Sequence, residues 1–346
     1  MLLEESTAVS FDDVLIVPRG TSVRSRSEVR PDTFIKPLRV PVFASCMDTI
    51  TGLNMLRRME ASGGAGILQR YMSPLKMLET MLEADLKGPQ CVAVGLRRRD
   101  SERIDLFLNA LEDPQIAIHN LWMCIDVAHG HCPDAVDTIE YIKSRNKAVR
   151  IIGPNVATSE GVRDIALAGA HFVRVGIGGG SVCTTRIKTG CGLPTLQSLL
   201  DSNEVAKNLN IGMIADGGMR SPGDVAKALA GGASGVIIGG MLAGTDCTPN
   251  WTKPGDVTIY RGMASGPARQ DFTGEEPTMI EGAVKAVMCK ERGSTAQVII
   301  EIEEGIRSAM SYVGARAGAD FQVLANLRKH TTASMKESYP HFTDNS

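Results

Sequence analysis

The segment Gly176-Ile177-Gly178-Gly179-Gly180-Ser181-Val182-Cys183-Thr184-Thr185-Arg186 directly follows an apolar run and concentrates groups that could do chemistry. Its glycines let the backbone approach an anion or a cation closely. Ser181 adds a hydroxyl, and Cys183 places a thiol on the same loop. A nucleophile beside an anion cradle is the functional reading, and a glycine-rich turn carrying a packed cysteine is the plainer one. Two further turns, Asp216-Gly217-Gly218 and Gly239-Gly240-Met241, also follow apolar runs. In barrels the loops after the last two strands commonly hold phosphate on backbone N–H groups, so the three loops together describe a phosphorylated small molecule beside a thiol. Asp216 could accept from ribose hydroxyls or cap a helix.

Other apolar runs end in Asp48, Asp126 and Asn155. Asp126 leads into Ala128-His129-Gly130-His131, but no third ligand stands at a convincing spacing, so a transition metal is not expected. Arg97-Arg98-Arg99 reads as a solvated face rather than a nucleic-acid patch, because aromatic residues that could stack on bases are missing nearby.

The elements that must position these residues show as a β/α alternation. Eight short apolar runs each lead into a turn: Pro41–Ala44, Ala65–Leu68, Cys91–Val94, Trp122–Ile125, Val149–Ile152, Phe172–Val175, Gly212–Ala215 and Gly235–Ile238. Eight buried strands with polar loops at their C-terminal ends predict a (β/α)8 TIM barrel, one catalytic domain over residues 1–346. A doubly wound sheet is the alternative; against it, no GxGxxG follows the first strand and the suggestive residues follow many different strands. The segment Gly244 to Gly282 is long for a structureless connection and reads as a functional flap inserted in the barrel, and 329–346 as a polar C-terminal tail.

Composition agrees with a barrel. The 346 residues carry 37 Lys+Arg against 39 Asp+Glu, are 43% apolar and only 4% aromatic. That excludes a disordered chain and a basic nucleic-acid clamp, and it leaves no global field for DNA or anionic lipid. The opening residues lack a positive start followed by an apolar stretch, and no apolar run approaches the roughly 20 residues that span a bilayer. A soluble cytoplasmic protein with no membrane or nucleic-acid partner is expected. The eight cysteines, at 46, 91, 124, 132, 183, 191, 247 and 289, form no CxxC pair and read as reduced thiols.

The loop GIGGGSVCTTRIKTGCGLP (176–194), with ADGGMRSPGDVAKAL (215–229), GGMLAGT (239–245), YRGMAS (260–265), FDDVLIVP (11–18) and CMDTITG (46–52), resembles the IMP dehydrogenase and GMP reductase family over nearly the whole chain. The resemblance implies a (β/α)8 barrel, usually a homotetramer. It implies that Cys183 attacks C2 of the purine of a bound nucleoside monophosphate, and that a hydride moves between C2 and a nicotinamide. Ser181, Gly218 and Gly240 would then hold the 5′-phosphate, with Gly217, Gly239 and Tyr260 beside them. Asp216 would hold the ribose, and Met263 and Ala264 would present backbone groups to the base. Asp126 and Asn155 match positions near the nicotinamide. The carbonyls of Gly178, Gly180 and Cys183 match a monovalent-cation site, for K+ or a similar ion. Gly179 stands where the family usually has Pro.

The branch is read from the flap. Dehydrogenases of the family hydrolyse their adduct with an adjacent Arg-Tyr pair, and this flap has Arg269-Gln270 instead. Reductases protonate departing ammonia through a loop Thr and a flap Glu; Thr185 matches the first and Glu281 the second, with Glu276 as the fallback. Between Met72 and Cys91 there is no room for the regulatory insert of most dehydrogenases. Gly63–Ile67, Tyr260–Gly262 and Glu337–His341 look more like dehydrogenases, whereas Ser25–Glu28 and Gly239–Met241 look more like reductases. The expectation is an NADPH-dependent GMP reductase. The alternatives are an IMP dehydrogenase using NAD and a non-catalytic purine-nucleotide-binding barrel. No Arg that would read the 2′-phosphate of NADPH can be placed from the sequence.

Overall fold

The computed structural model describes residues 7–274 and 278–338. In chain order its strands are β1 (Val14–Ile16), β2 (Val42–Ala44), β3 (Ala65–Leu68), β4 (Gln90–Val94), β5 (Leu121–Ile125), β6 (Arg150–Val156), β7 (Phe172–Val175), β8 (Gly212–Asp216), β9 (Ala233–Ile238), β10 (Val257–Arg261), β11 (Val284–Met288) and β12 (Leu327–Lys329). The helices are α1 (Leu53–Ala61), α2 (Pro74–Ala84), α3 (Arg97–Glu112), α4 (Pro133–Arg145), α5 (Ser159–Leu167), α6 (Thr185–Thr189), α7 (Thr195–Asn208), α8 (Pro222–Ala230), α9 (Gly266–Thr273), α10 (Ser294–Val313) and α11 (Gly318–Leu324).

Strands β2 to β9 close into a parallel barrel in sequence order, with Phe43 of β2 opposite Ile237 of β9 at the seam. Each of the eight apolar runs lies on one of these strands. Both faces of every strand are covered, which is why the runs are continuous rather than alternating. Phe43, Ile67, Cys91, Ala93, Trp122, Cys124, Ile152, Ile214 and Ile237 fill the interior. Their neighbours Val42, Ala44, Leu68, Val92, Met123 and Val173 join the larger core outside it. Near the strands' N-terminal end, Trp122 stacks on Phe172 at 5.3 Å, and the Arg150 guanidinium lies 5.1 Å from the Trp122 ring.

Local chemistry sets where the helices begin. Ser73, Thr158, Ser221 and Ser265 each accept a first-turn N–H of the helix that follows, and Ser73 and Ser221 are followed directly by proline. The loops at the strands' C-terminal ends are thereby fixed from the helix side.

Two sheets were not legible in the sequence. β1 and β12 pair antiparallel over three residues each, too short to leave a pattern. β10 and β11 form an antiparallel ribbon, Val257 opposite Met288, so the flap segment is not irregular throughout and its pairing runs past Gly282 to Met288. β11 is mostly exposed and shows no clean alternation of burial, which hid it. The expected tail begins as β12, and residues 339–346 lie outside the described residues. Among the described residues no helix is long and apolar enough to cross a membrane.

One pH dependence follows from the barrel wall. His171, just before β7, accepts the Ile151 N–H on Nδ1 at 3.0 Å. Partial burial, with Lys143 and Arg150 nearby, pushes its pKa from 6.5 down to about 4. The unfolded chain therefore binds the extra proton first, so this contribution to stability is complete above 6.5 and is lost as the pH falls toward 4. Thermal melts across that window should fall more steeply for the parent than for His171→Asn; equal slopes would remove His171 from the acid response.

Candidate active site

The C-terminal ends of the barrel strands open into one cavity of about 630 Å³, lined by Cys183, Thr185 and Glu281, by the three glycine loops with Ser181 and Asp216, by Tyr260, Met263 and Ala264, and by Asp126 and Asn155. The first contributor is the loop after β7. Gly176 has φ 135°, and a Cβ there would lie 2.3 Å from the Asp216 carbonyl oxygen, so the loops after β7 and β8 pass main chain against main chain. At Gly179 a Cβ would meet Thr195 Oγ1 at 2.9 Å and the Gly217 carbonyl carbon at 3.2 Å. A residue with a Cβ at that position, proline included, requires Thr195 to give way. Ser181 Oγ donates to Tyr260 Oη at 3.3 Å, and a Cβ on Gly240 would lie 2.8 Å from the same Oγ. The loops after β7 and β9 thus converge with the ribbon on one spot. Burial raises the Tyr260 phenol, outweighing the Ser181 bond, so its hydroxyl stays protonated and able to donate.

The thiol stands in a short relay. Cys183 Sγ donates to Thr185 Oγ1 at 3.2 Å, and Thr185 Oγ1 donates to Glu281 Oε2 at 2.8 Å. Main chain holds the three together. The Thr184 N–H donates to the Glu281 carbonyl at 2.8 Å, the Ala283 N–H to the Val182 carbonyl at 2.7 Å, and Cys183 bridges Gly282 in antiparallel fashion. The Glu281 N–H bonds the Ala264 carbonyl at 3.1 Å, which brings Met263 and Ala264 to the same wall. Glu276, the fallback for the acid, lies outside the described residues.

The cavity floor is an ionic layer. Arg174 Nη2 and Nε donate to Asp216 Oδ2 at 2.7 and 3.0 Å, and its Nη1 donates to Asp126 Oδ1 at 3.1 Å. Arg70 Nε reaches the other Asp126 oxygen at 3.4 Å. Burial alone would push the Asp126 carboxyl up, but Arg174 and Arg70 outweigh it and hold it below the ordinary carboxylate range. Asn155 Nδ2 donates to Asp216 Oδ2 and to the Gly176 carbonyl, both at 2.9 Å. Asn155 therefore braces Asp216, and Asp126 is engaged by two guanidinia, while both residues line the cavity. Arg70 and Arg174 were missed. Arg174 left a signal, since an arginine inside an apolar strand needs a buried partner.

Asp48 holds the flap instead of facing the cavity. Its Oδ2 accepts from Arg261 Nε at 2.9 Å, and Arg261 Nη1 donates to Asp271 of α9 at 2.7 Å. Tyr71 stacks on Phe272 of α9 at 4.4 Å and 9°.

For a monovalent cation the donor type fits, since the candidate ligands are carbonyls. The Gly180 carbonyl already accepts the Cys183 N–H at 3.0 Å and keeps one lone pair for an ion. Among the described residues no group of three or more His, Cys, Asp or Glu could hold a metal, and His131 pairs with Asp164 at 3.0 Å.

A family profile described as the IMP dehydrogenase / GMP reductase domain matches residues 8–341. The chain belongs to this family. Membership places it among oxidoreductases that act on purine nucleotides with a nicotinamide. Within the IMP dehydrogenase / GMP reductase family, a GMP reductase from Buchnera aphidicola subsp. Schizaphis graminum is 34% identical over 96% of this chain and 95% of its own. An inosine-5′-monophosphate dehydrogenase from Chlorobaculum tepidum is 37% identical over 72% of this chain, and that match spans only 51% of the relative. Among solved structures, a GMP reductase from Trypanosoma brucei in complex with guanosine 5′-monophosphate shares the fold at TM-score 0.86, with 24% identity and 98% of each chain covered.

Proposed function

We propose that this protein is an NADPH-dependent GMP reductase, converting GMP to IMP and ammonia. The observation that carries the reading is the relay from the Cys183 thiol through Thr185 to Glu281, at 3.2 and 2.8 Å. The Buchnera relative, matched over nearly its full length, supports the same choice.

In the proposed sequence GMP lies with its phosphate on the Ser181, Gly218 and Gly240 loops beside Tyr260, and with its ribose hydroxyls on Asp216. Met263 and Ala264 present backbone groups to the base. The thiol proton of Cys183 passes through Thr185 to Glu281, and the sulfur adds to C2 of the purine. Glu281 returns that proton through Thr185 to the C2 amine, which leaves as ammonia. A reduced nicotinamide, when bound on the side of Asp126 and Asn155, would supply the hydride that takes the place of the amine at C2. The C2–S bond then breaks, its electron pair leaving on the Cys183 sulfur as thiolate, which gives IMP; after IMP departs the thiolate takes a proton from solvent.

Three further parts belong to the proposal. The Gly178, Gly180 and Cys183 carbonyls hold a monovalent cation such as K+, which would steady the loop that carries the nucleophile. The chain assembles as a homotetramer, for which the exposed apolar face of the ribbon, Val257, Ile259, Val284 and Met288, supplies uncovered surface. It works in the cytoplasm, where its eight unpaired thiols fit a reducing compartment.

A second reading, IMP dehydrogenase with NAD, is favoured by one feature: Arg269 of the flap lines the cavity, where a dehydrogenase needs an arginine to activate water. Nicotinamide absorbance decides between them in two parallel reactions, GMP with NADPH and IMP with NAD and K+. Loss of signal with ammonia formed in the first supports the reductase. A gain in the second overturns it, and silence in both leaves the non-catalytic barrel.

Glu281→Gln tests the acid. The substitution keeps the shape and a hydrogen bond to Thr185 but cannot carry the proton. Single-turnover ammonia release should slow by about 10²- to 10⁴-fold with little change in GMP affinity. Normal release would move the acid role elsewhere.

A further inference from the structure

The cavity mouth has a second cationic lobe that the mechanism above leaves unused. It is built from the run Arg97-Arg98-Arg99 at the start of α3, three exposed residues whose guanidinia have different neighbours. Arg97 turns outward, its guanidinium 3.7 Å from the Tyr141 ring centroid, whereas Arg99 lines the cavity. The turn that presents Arg99 is braced. Asp100 leaves helical geometry at φ −142°, accepts the Gly95 N–H at 2.7 Å and pairs with buried Arg103 at 3.1 Å, which in turn donates to the Met72 carbonyl at 3.0 Å.

The other guanidinia lining the cavity are engaged. Arg70 and Arg174 pair with Asp126 and Asp216, Arg220 with Asp12, and Arg269 donates to the Met279 carbonyl. Arg99 makes no ion pair among the described residues. It therefore offers an uncompensated charge to an anion in the mouth.

Topology says which anion. β4, which leads to Arg99, stands four places round the eight-stranded ring from β8, whose loop carries Gly217 and Gly218. Arg99 thus faces the glycine loops across the barrel mouth, and its anion is not the phosphate held there. Beside it, on the loop after β3, Tyr71 stacks on Phe272 and Arg70 lies 5.4 Å from the Tyr71 ring. An aromatic platform next to a free guanidinium suits a second nucleotide that carries a phosphate. The one carboxylate lining this β3-to-β5 side of the cavity is Asp126, and two arginines already hold it. Among the described residues no other acid lines that side to accept from a ribose diol. Dinucleotide sites separate the two nicotinamide cofactors by this choice, a carboxylate on the 2′-hydroxyl or an arginine on the 2′-phosphate.

We propose that Arg99 is the specificity-determining residue that reads the 2′-phosphate of NADPH, with the adenine against the Tyr71–Phe272 pair. The proposal rests on the reading of the cavity as a nicotinamide-dinucleotide site.

The test is calorimetric titration of the full chain, without GMP, by NADPH, NADH and 2′,5′-ADP. The parent should bind NADPH more tightly than NADH and should bind 2′,5′-ADP. In Arg99→Leu, NADPH affinity should fall about 10- to 100-fold, the loss expected for one charge-assisted pair, with NADH affinity shifted less than about threefold. Arg99→Lys should keep part of the preference. Unaltered GMP affinity in both variants shows that they fold. Equal losses for NADPH and NADH would place Arg99 on the pyrophosphate and overturn the proposal, as would an unchanged preference. If the parent binds neither dinucleotide, the cofactor reading of the cavity fails as well, an outcome distinct from a preference that Arg99 does not control.

Discussion

Cys183→Ala removes turnover, by about 10⁴-fold or more, while GMP affinity stays within about tenfold, roughly 1.4 kcal/mol. The expectation follows from the geometry around the thiol. The sulfur contributes one 3.2 Å bond to Thr185 and no bond to the glycine loops, so the phosphate and ribose contacts survive its removal. The covalent step does not, because no other nucleophile stands beside Thr185 and Glu281 among the described residues. Steady-state assays give the first number and calorimetry with GMP the second. Undiminished turnover would end the covalent mechanism, and a collapse of binding would mean that the thiol holds the loop rather than reacting. Cys183→Ser keeps a hydrogen bond to Thr185 with a poorer nucleophile and should lie near the alanine variant in rate.

Arg174→Met destabilises the fold by about 3–5 kcal/mol, the loss typical when one partner of a buried ion pair is removed. Its guanidinium joins Asp126 to Asp216, and both carboxylates stay in the floor when it goes. Urea unfolding measures the loss, and Arg174→Lys should recover part of it by restoring the charge without the fork. The pH dependence has a definite sign. Asp126 titrates below the ordinary carboxylate range in the fold, so its contribution is present above the unfolded pKa and is lost as pH falls through the lower folded value. With Arg174 removed, burial is opposed only by Arg70 and the weak bond from the Cys46 thiol, the folded pKa rises, and acid unfolding begins at a higher pH. A variant as stable and as acid-resistant as the parent would show that the pair does not hold the floor.

The barrel was legible because its strands are covered on both faces: runs such as Cys91–Val94 and Trp122–Ile125 carry no polar residue to blur them. The glycine loops were legible for a related reason, since a chain that must pass within van der Waals contact of another backbone leaves glycine in the sequence, as Gly176 does against Asp216. What escaped was pairing over distance. Nothing local to Arg174 names Asp126 and Asp216 as its partners, and nothing local to Asn155 turns it toward Asp216. The ribbon escaped because one of its faces is uncovered and Val284–Met288 mixes lysine with apolar residues. Three identical residues in a row, Arg97 to Arg99, met different surroundings because a helix turns by about 100° per residue. Composition treats them as one run, and the fold does not.

The antiparallel bridge from Cys183 to Gly282 acts as an interlock. Lifting the flap segment that carries Glu281 breaks the main-chain bonds at Val182 and Thr184, the residues on either side of the thiol. The same movement would part Glu281 from Thr185, leaving the sulfur its neighbouring hydroxyl but no carboxylate to take the proton onward. Edge and relay are thus one construction: the main-chain bonds that close this side of the cavity also keep the acid in register with the sulfur.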